Sequence, residues 1–195
     1  MNVLAHIYLS GDSDKIIIGN YIGDYVKGKD YLKYPPALQK GLLLHRHIDT
    51  FTDNHTIVKR DKVFFFERYQ KYAGVVTDII YDHYLATEWK TFSGEDINKF
   101  VEHIHTLIQD NYTTLPEGLQ RLVPYIIKNR WFKSYFTLDG VRSVLIGMAK
   151  GTSLPDESAF AIRQIEKNYD TLKKDFLEFF PEIITAIGQD ENLIG

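Results

Sequence analysis

Three stretches of the sequence set carboxylates and imidazoles among apolar neighbours. In GLLLHRHIDTF (41–51), His45 and Asp49 are four residues apart, one helical turn, on a stripe shared with Leu38 and Gly41 or Leu42. In VVTDIIYDHYLATEW (75–89), a stripe runs Val75, Ile79, Asp82, Ala86 and Trp89, and His83 sits beside Ile79, Ile80 and Ala86. In KIIIGNYIGDYV (15–26), Asn20 and Asp24 are four apart, flanked by Ile16, Ile17, Ile22 and Val26. An ionised carboxylate in apolar surroundings is costly unless it is paired or bound to a cation. Imidazole nitrogens and carboxylate oxygens suit Mn²⁺, Fe²⁺, Zn²⁺ or, with fewer histidines, Mg²⁺. The set Asp24, His45, Asp49, Asp82 and His83 therefore reads as a metal site in which one ion offsets three separate penalties. Taken singly, each has a plainer reading, because a helical aspartate is commonly a cap or ion-pair partner and a buried histidine a satisfied core residue. His-x-x-x-Asp and Asp-His are common short patterns. The weight lies in three helices repeating the same departure.

Other polar residues extend this reading. His6, in a run with Val3, Leu4, Ala5 and Ile7, suits a ligand, a support for one, or an acid–base group, and equally a structural histidine. Asp53 and His55 follow in TFTDNH; Asp53 is two turns beyond His45 and near enough to approach the site, while Asp53 or Asn54 also suits a cap for the next helix. Arg46 and Lys27 are the cations for a bound phosphate, Arg46 through its planar fork. Lys27 also fits a solvated charge at a helix C-terminus. His103 and His105 are two apart, so a helix points them in different directions and they receive no role. A divalent ion lowers the pKa of bound water and polarises a phosphoryl oxygen. On a bound phosphate such an ion would be joined by Arg46, suited to neutralising phosphoryl charge, and by His6, suited to giving a proton to a leaving oxygen.

Helices must carry these residues, because the apolar spacing is helical almost throughout and never alternates for long. The expected class is all-α. Helices are expected over 2–9, over 12–27 with a stop at Gly28, and from the pair Pro35-Pro36 to about residue 52. Others follow near 55–72, 75–91, 95–111, 116–135, 138–150 and 155–190, with Pro181 breaking or kinking the last. No repeat or long linker divides the chain, so 1–195 reads as one helical domain whose last few residues lie loose. Apolar residues make up 44% of the chain, and 13 Tyr with 12 Phe are enough to fill a real core. The absence of cysteine excludes disulfides and thiolate metal sites and fits a reducing cytoplasm. The start MNVLAHIYLSGDSDK lacks a basic segment before a long apolar one, so no secretory signal is expected. No run approaches the ~20 apolar residues of a membrane helix. A net charge of −3 argues against broad nucleic-acid binding.

The ordered set MNVLAHIYLS, GNYIGDYVKG (19–28), Pro35-Pro36, GLLLHRHIDTFTDNH (41–55) and YDHYLA (81–86) resembles the acyl carrier protein phosphodiesterases. The C-terminal half matches only in general character, with NRWF (129–132) and VLIGMAKG (144–151) in plausible places. The resemblance implies a helical fold similar to the HD-type metal phosphohydrolases, with the His and Asp motifs in an altered order. It implies hydrolysis of the diester joining 4′-phosphopantetheine to a serine of acyl carrier protein, with a divalent metal, Mn²⁺ or Mg²⁺, as cofactor. Carried over by motif, Asp24, His45, Asp49 and the pair Asp82-His83 fall at metal-site positions, and the choice between Asp49 and Asp53 as direct ligand stays open. His47 stands where some relatives carry another basic residue such as Arg. The implied partner is a small acidic protein, met by a local basic surface at Lys27, Lys29 and Lys33 or at Lys59, Arg60 and Lys62. Two rival readings remain: a metal phosphohydrolase acting on a nucleotide or other small phosphodiester, and a helical interaction module whose His and Asp form a structural hydrogen-bond network.

Overall fold

The helical spacing is realised in eleven α-helices among the described residues, 1–128 and 131–189 of a computed structural model. They are α1 (Val3–Tyr8), α2 (Asp14–Tyr21), α3 (Pro36–Asn54), α4 (Thr56–Tyr69), α5 (Ala73–Thr87), α6 (Trp89–Phe92), α7 (Ile97–Asp110), α8 (Glu117–Lys128), α9 (Leu138–Gly151), α10 (Ser158–Lys167) and α11 (Tyr169–Gly188). Short 3₁₀ turns, including Gly23–Tyr25, Asp30–Lys33 and Trp131–Phe136, join several of them, and no strand occurs among the described residues. Asn129 and Arg130 of the NRWF stretch, and residues 190–195 at the end of the expected domain, lie outside the described residues.

Helix α5 is the axis of the core. Every residue from Ile79 to Ala86 is buried, so no side of this helix faces water over that stretch. It packs against α1, α4, α9, α11 and the 131–136 turn, and the buried aromatic residues Tyr81, Tyr84, Phe176 and Phe179 fill the space between α5 and α11. Three helix starts follow ordinary capping chemistry. Asn2 accepts from Val3 N at 2.8 Å, Asp96 from the N–H groups of Asn98 and Lys99, and Thr137 from Gly140 N. Pro36 opens α3 at a position whose N–H would have no helical partner.

Several boundaries differ from the periodicity: the expected 116–135 helix gives way to α8, ending at Lys128, and a 3₁₀ turn over Trp131–Phe136, and the expected 75–91 helix is divided between α5 and α6. The second helix ends at Tyr21 and not near residue 27, since the chain turns at Gly23–Tyr25, where Gly23 lies against the His45 ring. Gly28 still adopts the left-handed conformation glycine favours (φ +53°), but in the loop beyond that turn. The long C-terminal segment is divided at Asn168, and α11 then runs through Pro181, its buried face of Phe176, Phe179, Phe180, Ile183 and Ile187 anchored in the core. The expected cap at Asp53 or Asn54 is replaced by His55, whose backbone begins α4 without a side-chain hydrogen bond.

Helices α2 and α3 touch backbone to backbone. A Cβ on Gly19 would overlap the carbonyl oxygen of Leu38, and one on Gly41 would overlap that of Ile16 and reach within 2.8 Å of the Gly19 Cα. No side chain fits between them. Gly41→Ala should therefore destabilise the protein by about 1–3 kcal/mol, the cost of overpacking a rigid contact. Urea denaturation would measure it, and a variant within about 0.5 kcal/mol of the parent would show that the helices separate freely.

Candidate metal centre

Four segments meet at one point. Helix α1 supplies His6, the end of α2 supplies Asn20, the following 3₁₀ turn supplies Asp24, and α3 supplies His45 and Asp49. The His6 and His45 rings stack, with centroids 4.1 Å apart and planes 19° from parallel. His6 Nε2 lies 3.1 Å from Asp49 Oδ1, and His45 Nε2 lies 3.2 Å from Asp49 Oδ2 and 3.6 Å from Asp24 Oδ1. On the far side of both rings, the Nδ1 atoms face Asn20 Oδ1 at 2.8 and 3.1 Å. Both histidines and Asn20 are buried, whereas the side chain of Asp49 is 42% exposed and that of Asp24 79%. The cluster is thus rooted in the core and open at its mouth.

Burial and charge pull these groups in different directions. Burial drags the His45 pKa down, but the Asp24 and Asp49 carboxylates beside it more than reverse this and leave it pushed up to about 9. Burial would raise Asp49, yet the His45 and His6 imidazoles beside it hold it well below the usual carboxylate range. Asp24 is lowered chiefly by the neighbouring His45 imidazole. His6 goes the other way, because burial outweighs its bond to Asp49 and lowers its pKa. The electrostatic preference for a positive charge among these side chains is one that a metal ion can also satisfy.

Of the residues expected from sequence to hold the ion, Asp24, His45 and Asp49 come together and Asp82 and His83 do not join them. Asp82 serves the start of α1: its two oxygens accept from Leu4 N at 2.7 Å and Ala5 N at 3.0 Å. Burial pushes its pKa up to about 7 despite those bonds. His83 faces the opposite part of the core, with Nδ1 2.7 Å from the Tyr135 carbonyl oxygen and Nε2 2.9 Å from the Tyr169 hydroxyl. The physical reason is that α5 is buried all round, so a polar residue on it points toward whichever element packs there. Arg46 donates to the carbonyl oxygens of Val26 (3.2 Å) and Gly28 (2.7 Å) and lies 5.1 Å over the Tyr31 ring, so it fastens the 26–31 segment to α3. Lys27 is exposed on that segment. Asp53 is exposed and receives a hydrogen bond from Lys62 Nζ at 2.7 Å. His103 pairs with Asp14 at 3.0 Å on the exposed side of α7. His6, expected as ligand, support or acid, stands with His45 and Asp49 in a group that could hold an ion, and Asn20, noted only for its spacing to Asp24, faces the Nδ1 atoms of both rings.

The donor set fits a divalent ion. One ligand atom from each of His6, His45 and Asp49 can be chosen so that all three lie within 4.8 Å of one another. Donors about 2.1 Å from one ion sit roughly 3.0–3.4 Å apart between octahedral and tetrahedral angles, and the 3.1 and 3.2 Å separations fall in that range. His45 Nε2 is buried, and although Asp49 is near, no partner meets it in hydrogen-bond geometry. A buried nitrogen that faces two carboxylates without a well-aligned hydrogen bond suits a ligand better than a structural link. The adjoining cavity, lined by His6, Asn20, Tyr21, Asp24 and His45 with the first residues of the chain, has a volume of about 30 Å³.

The family model described as acyl carrier protein phosphodiesterase matches residues 1–183. Similar curated proteins carry the same description. One from Serratia proteamaculans is 30% identical over 185 residues, covering 94% of this chain and 96% of the relative. One from Yersinia enterocolitica is 30% identical over 194 residues, covering 99% and 100%. One from Salmonella agona is 30% identical over 193 residues, covering 97% and 98%. No solved structure matches.

Gly23 is what lets His45 approach the turn that carries Asp24, since a Cβ there would overlap the imidazole ring. Gly23→Ala should displace His45 and weaken Mn²⁺ binding by about 10-fold or more while the helical circular dichroism is kept. Isothermal titration with Mn²⁺ reads this, and unchanged affinity would remove His45 from the ligand set.

Proposed function

The chain belongs to the acyl carrier protein phosphodiesterase family, and from that membership we propose that it hydrolyses the diester joining 4′-phosphopantetheine to a serine of acyl carrier protein. Water adds to phosphorus, the bond to the serine oxygen breaks, and the products are apo carrier and 4′-phosphopantetheine. We place this reaction in the cytoplasm, and assign the divalent ion, Mn²⁺ or Mg²⁺, to His6, His45 and Asp49 with Asp24 at the open edge. The observation that carries this assignment is the convergence of two imidazole Nε2 atoms on one carboxylate, with His45 Nε2 3.2 Å from Asp49 but outside hydrogen-bond geometry.

When bound, the ion supplies Lewis-acid polarisation of a phosphoryl oxygen and acidifies water. The remaining work falls to the chain itself. Both imidazoles are immobilised by stacking and burial, so their donor atoms need no rearrangement. Asp24 stands at the mouth, where a carboxylate can orient an attacking water. Arg46, spent on the Val26 and Gly28 carbonyls, positions the segment following Asp24 and leaves Lys27, exposed on that segment, as the cation for the diester. His6 has one ring nitrogen committed to Asn20 and the other facing Asp49, so the departing serine oxygen takes its proton from water at the open mouth.

The rival substrates fit this geometry less well. A nucleotide pocket holds a base and sugar in a cavity of roughly 300 Å³ or more, whereas the cavity beside these residues has room for about one water. A structural network would align the His45 Nε2, which faces Asp49 at 3.2 Å outside hydrogen-bond geometry.

Incubation with holo acyl carrier protein and Mn²⁺ should remove the phosphopantetheine arm, seen as a mass loss in the intact carrier. Asp49→Ala should slow this about 100-fold or more, and a chelator should stop it. Full turnover after chelation would end the metal assignment, and cleavage of nucleotides with the carrier left intact would favour the first rival. Recognition of an acidic carrier through Lys27, Lys29 and Lys33 also implies a salt-sensitive encounter. The apparent KM for the carrier should rise as NaCl goes from low to high, and a flat titration would count against that surface.

A further inference from the structure

Asn20 uses every hydrogen-bonding position of its side-chain amide. Nδ2 donates to the main-chain carbonyl of His6 at 2.8 Å and to Ser10 Oγ at 2.8 Å, while Oδ1 faces His6 Nδ1 at 2.8 Å and His45 Nδ1 at 3.1 Å. Ser10 Oγ in turn donates to the same His6 carbonyl at 2.8 Å, so its oxygen is free to accept from the amide. All of these atoms are buried, with Asn20 at 0% exposure, so water does not substitute for any of them.

Chemistry fixes the direction of each bond. A carbonyl oxygen only accepts, so the amide must turn its NH₂ toward His6 O and its oxygen toward the imidazoles. Oδ1 also only accepts, and both Nδ1 atoms must therefore carry a proton. The main-chain oxygen of Asn20, 2.9 Å from His45 Nδ1, makes the same demand a second time. A neutral imidazole protonated at Nδ1 presents its lone pair at Nε2. Both Nε2 atoms are the ones that face Asp49.

We propose that Asn20 is a positioning residue that sets one tautomer on two metal ligands at once, holding His6 and His45 as Nε2 donors through a single amide oxygen. A separate orienting partner for each histidine would be the simpler arrangement. Here the partner is shared, and it is anchored to the backbone of one of the histidines it orients. The inference rests on the divalent-ion reading of the site.

Wild-type protein loaded with Zn²⁺, a diamagnetic probe, gives the direct test through long-range ¹H–¹⁵N correlations of the imidazoles. Both rings should show a protonated Nδ1 and a metal-shifted Nε2, and coordination through Nδ1 of either ring would overturn the proposal. Two variants then separate the acceptor from packing. Asn20→Leu keeps the volume and removes the acceptor, whereas Asn20→Asp keeps an acceptor oxygen; each loses the amide donors. Mn²⁺ affinity, read from the free-ion electron paramagnetic resonance signal, should fall about 10–100-fold in Asn20→Leu and clearly less in Asn20→Asp. Equal losses in both would make Asn20 a packing residue only. If Asn20→Leu does not fold, the wild-type spectrum decides alone. A wild type that binds neither ion sinks the ion reading and this inference with it, while binding with equal losses sinks this inference only.

Discussion

Everything at the centre depends on two helices meeting with nothing between them. Because Gly19 and Gly41 bring the α2 and α3 backbones into contact, the residue after Gly19 lies beneath the residue four positions after Gly41. Asn20 can then reach the His45 ring with both its side chain and its main-chain oxygen. A second close approach, Gly23 against the same ring, folds the chain back so that Asp24 reaches the other edge. Close packing transmits small displacements, because interiors near crystal density have no slack to absorb them. Three glycines that carry no chemistry therefore decide where the chemistry sits.

The same interior faces the problem of buried negative charge in several places and answers it differently each time. Asp82 is met by two backbone N–H groups at the start of α1, where the helix dipole also favours an anion. Asp61 accepts from the Tyr81 hydroxyl at 2.7 Å, and burial still pushes its pKa up to about 7. Both arrangements are closed, in the sense that the partner belongs to the fold and points inward. Asp49 is met by two imidazoles whose nitrogens converge at a partly open edge. Only this third arrangement combines nitrogen donors, a carboxylate and access from outside, and that combination separates a binding centre from a stabilised core aspartate.

Much of this was legible in residue spacing, and the part that was not has a definite cause. The all-helical class and the His45–Asp49 pair follow from a 3.6-residue period, since residues four apart must share a face. Asp24 followed from apolar neighbours, although the helix expected to carry it stops at Tyr21 and a 3₁₀ turn presents it instead. Asp82 and His83 show where the inference runs out. A polar residue on a stripe that is apolar on one side only can be assigned a direction, but α5 is enclosed on every side from Ile79 to Ala86, and burial there has no direction. The run IIYDHYLA carries that warning, because six of its eight residues are apolar or aromatic with no polar face between them. The role of Asn20 had no such signal. It arises from contacts to residues 14 and 25 positions away, which no local pattern encodes.

The shape of the mouth constrains how a substrate is held. A cavity of about 30 Å³ cannot supply the buried area from which small-molecule sites draw their affinity. Binding energy must then come from surface outside the cluster, and a substrate that offers such surface is a macromolecule presenting its diester on an extended arm. The structure provides material for that contact beside Asp24: Tyr25 and Leu32 are exposed at 42% and 57%, and Lys27 and Lys29 lie between them in sequence. Exposed apolar side chains interleaved with cations suit an acidic protein surface better than a free nucleotide, which would bring charge but little area. Arg46 then gains a purpose consistent with its contacts, since by gripping the Val26 and Gly28 carbonyls it holds this platform in fixed relation to α3 and so to His45 and Asp49. A carrier docked on such a platform would deliver phosphorus to the same place each time, and a small open centre would then need no pocket of its own.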